Sequence, residues 1–157
     1  MKQETREVVE SIHELFKSRK LTLSAAESCT GGLISHYLTS LPGSSAFFTA
    51  GIVSYSEDAK KIFLGVSNDA IRDFGLISEE TSREMAEKVR LLSKTDYAVS
   101  ATGNLGPGVL EGKEKGLIYI AACREGITLA RELRLTGGRE ENKEEAVHEE
   151  LKLLLEL

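Results

Sequence analysis

The sequence predicts an α/β/α sandwich: a mixed, mostly parallel sheet held between two layers of helices, in a single domain spanning residues 1–157. Three observations carry that expectation. Segments with apolar residues at helical spacing alternate with short apolar runs that read as strands. Arg124-Glu125-Gly126 has the character of a hairpin turn between two such runs, which argues against an all-parallel sheet. No internal repeat, low-complexity tract or linker divides the chain.

Each element follows in order. Residues 3–18 place Val8, Val9, Ile12, Leu15 and Phe16 on one helical face. Leu21 to Ala26 reads as a strand, and Glu27-Ser28-Cys29-Thr30-Gly31-Gly32 leads from it into a helix from about Leu33 to Thr39. A strand passing through small residues into a helix leaves backbone N–H groups at the helix N-terminus. Pro42-Gly43 marks a turn before a second strand, Phe47 to Tyr55. Short helices are expected over Asp58–Phe63 and Ser67–Phe74. Ser78, followed by Glu79 and Glu80, signals the start of a longer helix whose apolar stripe holds Met85, Val89 and Leu92. Tyr97 to Ser100 is a strand ending in the glycine-rich loop from Thr102 to Gly108. Leu117–Cys123 and Ile127–Leu135 form the hairpin, and Glu140–Leu155 forms the last helix, with Val147, Leu151, Leu154 and Leu155 on one side.

Composition narrows the function. Twenty Lys plus Arg against 25 Asp plus Glu give a net charge of −5, which argues against a general nucleic-acid binder. No run approaches a membrane span and the N-terminus has no apolar signal core, so a cytoplasmic protein without membrane partners is expected. Two lone cysteines and three histidines leave little from which to build a metal site or histidine chemistry. His13, His36 and His148 fall on predicted helices and read as surface or capping residues. Dinucleotide-binding, Walker, Ser-x-x-Lys and Gly-x-Ser-x-Gly signatures are all missing. Catalysis, where present, has hydroxyls, lysines and carboxylates to work with.

Four segments stand out: Ala26-Glu27-Ser28-Cys29-Thr30-Gly31-Gly32, Pro42-Gly43-Ser44-Ser45, Ser54 to Lys60, and Thr102-Gly103 with Gly106-Pro107-Gly108. In this order and spacing they resemble the CinA C-terminal-domain family, whose characterised members are nicotinamide mononucleotide amidases of the PncC type. The likeness extends to Gly137 through Lys143. It implies an α/β/α fold and hydrolysis of the carboxamide of nicotinamide mononucleotide to nicotinate mononucleotide and ammonia, with no cofactor and no metal. It also implies Ser45 as nucleophile, Lys60 as base, and Tyr55 and Thr102 as helpers. A homodimer or larger homo-oligomer is expected on this likeness alone.

The chemistry suits these residue types. An amide is a poor electrophile, so serine attack needs a base and the departing ammonia needs a proton. A lysine serves both ends if burial brings its pKa to roughly 7–8. Backbone N–H groups near Gly43-Ser44-Ser45 are the expected oxyanion donors, and Ser44 and Gly103 are expected to line the substrate site. Thr30, Gly31 and Gly32, at a helix N-terminus, are expected to cradle the substrate phosphate with help from Arg139 and Lys143. Taken singly, Ser28 reads as a cap for the following helix, Cys29 as a small core residue, and Glu27 as a partner for a buried backbone donor or a cation. The chain departs from the family at Gly138, where an acid is usual, and at Lys143, where a second arginine is usual. Lysine keeps the charge there without the bidentate fork. A noncatalytic nucleotide-binding or interaction domain of the competence/damage-inducible type is the alternative reading.

Overall fold

Apolar residues at helical spacing form α1 (Gln3–Arg19), and small apolar residues form the central strand β1 (Leu23–Glu27), buried at all five positions in this computed structural model of residues 1–157. There follow α2 (Leu33–Thr39), a 3-10 turn (Ser44–Ala46), β2 (Phe48–Val53), α3 (Glu57–Ala59), which runs on as a π-helical turn (Lys60–Leu64), α4 (Asn68–Phe74) and α5 (Glu79–Ser93). The chain then completes β3 (Tyr97–Gly103), β4 (Leu117–Arg124), β5 (Ile127–Arg134) and α6 (Arg139–Leu155).

The five strands lie in the order β2-β1-β3-β4-β5. β1 pairs in parallel with β2 and β3, whereas β4 runs antiparallel to both β3 and β5. The sheet is mixed, as expected, but only its β2-β1-β3 half is parallel. The tight β4–β5 hairpin turns at Glu125-Gly126, directly after the Arg124↔Ile127 pair, and it accounts for one of the reversals.

Helices cover both faces. On one, Val9, Ile12 and Phe16 of α1, Ile34 and Leu38 of α2, and Val147 and Leu151 of α6 pack on Leu23, Val99, Ile118 and Ile120. On the other, Met85, Ala86 and Val89 of α5 pack on Ala26, Ala98, Ala121 and Cys123. Each large aliphatic side chain so buried contributes about 2 kcal/mol. Leu92 does not join that stripe; it is one residue from the helix end and exposed. His13 is buried rather than superficial. Its ring Nε2–H donates to the Leu38 carbonyl, 2.8 Å away, which satisfies an open carbonyl in the last turn of α2.

After β1 the chain crosses to β2 on one side, and after β2 it crosses back to β3 on the other. Such divergence opens a crevice at the carboxyl end of the central strand, where open α/β sheets bind ligands. Glu27, Ser28 and Cys29 leave β1 at that crevice.

Candidate active site

Ser28 follows the last residue of β1, and its N–H donates to the Ala101 carbonyl of β3 at 3.0 Å. The sheet therefore fixes its backbone directly. Lys60, first residue of the π-helical turn, is 2% exposed and donates through Nζ to Ser28 Oγ at 2.7 Å and to the Ser54 carbonyl at 3.0 Å. Ser56 caps α3 by accepting from Ala59 N–H, which sets the direction in which Lys60 enters. The π turn re-aims the chain within the helix, a device common at functional sites. Burial lowers the Lys60 pKa to about 8, partly opposed by the negative groups around it, Glu111 and Glu57 among them. A buried serine in contact with a lysine near neutrality has the geometry that a nucleophile–base pair requires. Cys29, beside it, is no competitor: burial pushes its thiol up to about 12.

The expected pairing of Ser45 with Lys60 does not form. Ser44 and Ser45 sit in the 3-10 turn that enters β2, and Ser45 is exposed. The Phe47 carbonyl just after that turn accepts from Leu23 N–H at the beginning of β1. Because β1 and β2 are parallel, residues entering β2 and residues leaving β1 lie at opposite ends, separated by roughly 16 Å of strand. Ser44 and Ser45 are therefore both remote from Lys60, and Gly43 lies instead against Lys17 at the end of α1. Ser28, read from sequence as a helix cap, occupies the position beside the lysine.

The capping role belongs to Glu27. Its carboxylate, fully buried, accepts from the N–H groups of Gly32, Ile34 and Ser35 and from the Ser35 hydroxyl, all at 2.7–3.1 Å. Gly31 N–H donates to the Ser28 carbonyl and Leu33 N–H to the Thr30 carbonyl. Every amide from Gly31 to Ser35 is thus taken, so Gly31 and Gly32 offer no free backbone cradle for a phosphate. The amides of Cys29 and Thr30 have no partner, and the Thr30 hydroxyl is buried and unpartnered. These two N–H groups directly follow Ser28 in the chain and are left free to donate.

Ser28, Cys29, Tyr55, Gly103, Leu105 and Arg139 are among the residues lining a cavity of about 240 Å³, with Leu110 and Asn104 contributed by the following loop. Arg139 enters at the first position of α6, where its guanidinium donates to the Gly106 carbonyl and to the Tyr55 hydroxyl, 2.7 and 2.8 Å away. Tyr55 is exposed at the mouth and bonded to arginine rather than to Lys60 or Ser28. Lys143, one turn further along α6, reaches over Gly31, with its Nζ 3.8 Å from where a Cβ would stand. Gly103 has no room for a side chain: a Cβ there would meet the Ile118 backbone of β4 at 2.6 Å. Thr102 is buried and donates to the Leu76 carbonyl, not to the lysine or serine. It holds the segment that Glu111 also grips, by accepting from the Leu76 and Ile77 amides. The charged stretch after the glycine loop is thereby fastened over the site. At Gly138 the Glu141 carboxylate accepts from the backbone N–H and caps α6.

No group of three or more His, Cys, Asp or Glu converges to hold a metal ion. No helix is long and apolar enough to cross a membrane. One carboxyl was not foreseen. Glu150, on the apolar face of α6, is fully buried with both oxygens unpartnered, and burial together with the nearby Glu27 raises its pKa well above the usual carboxylate range. Its place one residue before Leu151 and three after Val147 was the available signal.

The match to known proteins covers nearly the whole of this architecture. Residues 5–157 match the CinA C-terminal domain. The chain belongs to the CinA family. It is 44% identical over 131 residues to a competence-damage inducible protein of Alkaliphilus oremlandii, covering 83% of this chain and 32% of that protein. A counterpart from Acetivibrio thermocellus is 48% identical over 120 residues, 76% of this chain and 29% of that protein. The chain thus spans about a third of the length of these relatives. Among solved structures, the competence/damage inducible protein CihA of Agrobacterium tumefaciens superposes with a TM-score of 0.96 at 36% identity, over 99% of this chain and 96% of that one. The CinA superfamily protein of Escherichia coli gives 0.92 at 27% identity, over 96% and 88%. The five-stranded mixed sheet with its six helices is the fold of this CinA superfamily.

Proposed function

We propose that this CinA domain is a serine–lysine amidohydrolase acting on nicotinamide mononucleotide, with Ser28 as nucleophile and Lys60 as base. The observation that carries the reading is the 2.7 Å contact between Lys60 Nζ and Ser28 Oγ in a buried setting that brings the lysine to about 8. Neutral Lys60 takes the Ser28 proton as Oγ attacks the carboxamide carbon. The oxyanion that develops is met by the Cys29 and Thr30 amides, each donor supplying roughly 3 kcal/mol in the transition state. Protonated Lys60 then delivers its proton to the departing nitrogen, ammonia leaves, and a nicotinoyl ester remains on Ser28. Water, deprotonated by Lys60, cleaves that ester to nicotinate mononucleotide and restores the serine.

Recognition of the rest of the substrate falls to side chains. Leu105 and Leu110 give the cavity apolar wall suited to a pyridine ring. Arg139 at the mouth and Lys143 over Gly31 supply the positive charge for a phosphate, in place of the helix N-terminus that Glu27 occupies. Tyr55 holds the Arg139 fork, and Thr102 holds the Leu76 segment to which Glu111 fastens the loop lining the site; both support the site without touching the proton that moves.

The test is ammonia release from nicotinamide mononucleotide by the wild type and by Ser28→Ala, Lys60→Met and Ser45→Ala. The first two substitutions are expected to lower kcat by about 10³-fold or more, and the third to leave it near wild type. Full activity in Ser28→Ala would sink this assignment. Binding of the nucleotide in calorimetry with no turnover by the wild type would instead favour a noncatalytic nucleotide-binding domain.

A further inference from the structure

On the α5 face, at the end of the sheet away from Ser28, a second cavity of about 470 Å³ lies between α5 and the β4–β5 hairpin. Its distance from the first site follows from register: Arg124 at its floor pairs with Tyr97 at the start of β3, whereas Ala101 near the end of β3 is the residue bonded to Ser28. Three arginines line it, in a protein whose net charge is −5.

The three are not equivalent. Arg83 is fully engaged, donating to the Glu79 carboxylate and to the Thr128 carbonyl at the edge of the hairpin. Arg90 and Arg124 make no ion pair with any carboxylate. Arg90 rests beside the buried Cys123 thiol, and the Nε–H of Arg124 is buried with no acceptor at all. Glu87, the one acid lining the cavity, is exposed and receives the Thr128 hydroxyl at 2.6 Å. A guanidinium donor removed from water without an acceptor is costly, and two guanidiniums without a close carboxylate facing one cavity repel each other, an effect the exposed Glu87 at the rim reduces only in part. An oxyanion of charge −2 offsets both penalties, against its own desolvation and the repulsion of Glu87, because guanidinium forks match phosphate oxygens in planar, paired hydrogen bonds. Leu91 and Ile127, exposed on the same lining, give the cavity an apolar side.

We infer that the cavity between α5 and the β4–β5 hairpin is a second ligand site, taking the dianion of a small organic phosphate monoester through Arg90 and Arg124, with its apolar part against Leu91 and Ile127. Arg83, immobilised by Glu79 and Thr128, forms the fixed wall. The inference does not depend on the chemistry assigned to Ser28.

Titration of the full chain with phenyl phosphate and with inorganic phosphate, observed through the arginine Nε–Hε resonances, tests it. To silence the first site, the same titration is run on the Arg139→Gln/Lys143→Gln double variant. Saturable shifts of the Arg90 and Arg124 resonances are expected in both proteins, tighter for phenyl phosphate than for inorganic phosphate. Arg90→Gln, on the surface of α5, and Arg124→Gln are each expected to weaken binding about tenfold or more. Absence of saturation up to the order of 10 mM, or equal affinity in wild type and Arg90→Gln, overturns the inference. Loss of the shifts in the Arg139→Gln/Lys143→Gln variant also overturns it, since the ligand would then belong to the first site.

Discussion

Arg139 Nη2 and the Tyr55 hydroxyl are 2.8 Å apart, joining the start of α6 to the end of β2 across 84 positions of sequence. The arginine is aimed by two acceptors, this hydroxyl and the Gly106 carbonyl, before any ligand arrives. Removing the hydroxyl in Tyr55→Phe leaves the guanidinium less constrained. The expected outcome is a rise in KM of up to about tenfold, the worth of one hydrogen bond to a charged group, with kcat within about twofold. Steady-state kinetics decide it. A hundredfold fall in kcat at constant KM would move Tyr55 into the proton transfer itself.

Lys60 sets the pH dependence. Only the neutral amine can accept the serine proton, so kcat/KM is expected to rise about tenfold per pH unit and to level off above about 8. Stability follows the same group with a definite sign. Between about 8 and the ordinary lysine value of 10.5, the unfolded chain holds a proton that the folded chain has released, so stability rises with pH there. Denaturant titrations of wild type and Lys60→Met are expected to converge or cross across that window, because the variant lacks the rise. Parallel curves would show that the buried lysine is not depressed.

Glu150 works in the opposite sense. Its folded pKa is raised, so the proton it keeps above the ordinary carboxylate value favours the folded state fully at low pH. That contribution is lost as pH climbs towards the raised value. Both oxygens lack partners and Glu27 lies nearby, so Glu150→Leu is expected to stabilise the protein by about 1–3 kcal/mol near neutral pH. The gain should shrink towards about pH 5. Urea midpoints at the two pH values measure it. Destabilisation at both would mean that the carboxyl has a partner and a purpose.

Much of this was legible in the residues alone. Helical spacing in α1, α5 and α6, the hairpin turn at Arg124-Glu125-Gly126 and the apolar run of β4 each have one physical reading, and each forms as expected. That Lys60 faces a strand-end serine was expected, because a family pattern and a chemical need coincided on it; the structure buries it against Ser28. Which serine stands beside it was not legible, because sequence spacing carries no direction across a sheet. Pro42-Gly43-Ser44-Ser45 and Ser28 both adjoin strands, and only the parallel pairing of β1 with β2 separates one that enters from one that leaves. The rule that ligands gather at the carboxyl ends of strands already favours Ser28. Glu27 escaped for another reason: a glutamate just ahead of a glycine-rich helix start can face outward or fold back, and only packing decides between them.

Folding back has a lasting effect on what the protein can become. Glu27 is a permanent internal tenant of the α2 N-terminus, so the strongest fixed positive field near Ser28 is committed to architecture. Whatever anion a substrate carries must be greeted by long, replaceable side chains on α6. Neither Arg139 nor Lys143 bonds β1, the N-terminus of α2 or Ser28. On the proposed function, substrate charge and structural integrity are thus read by separate residues.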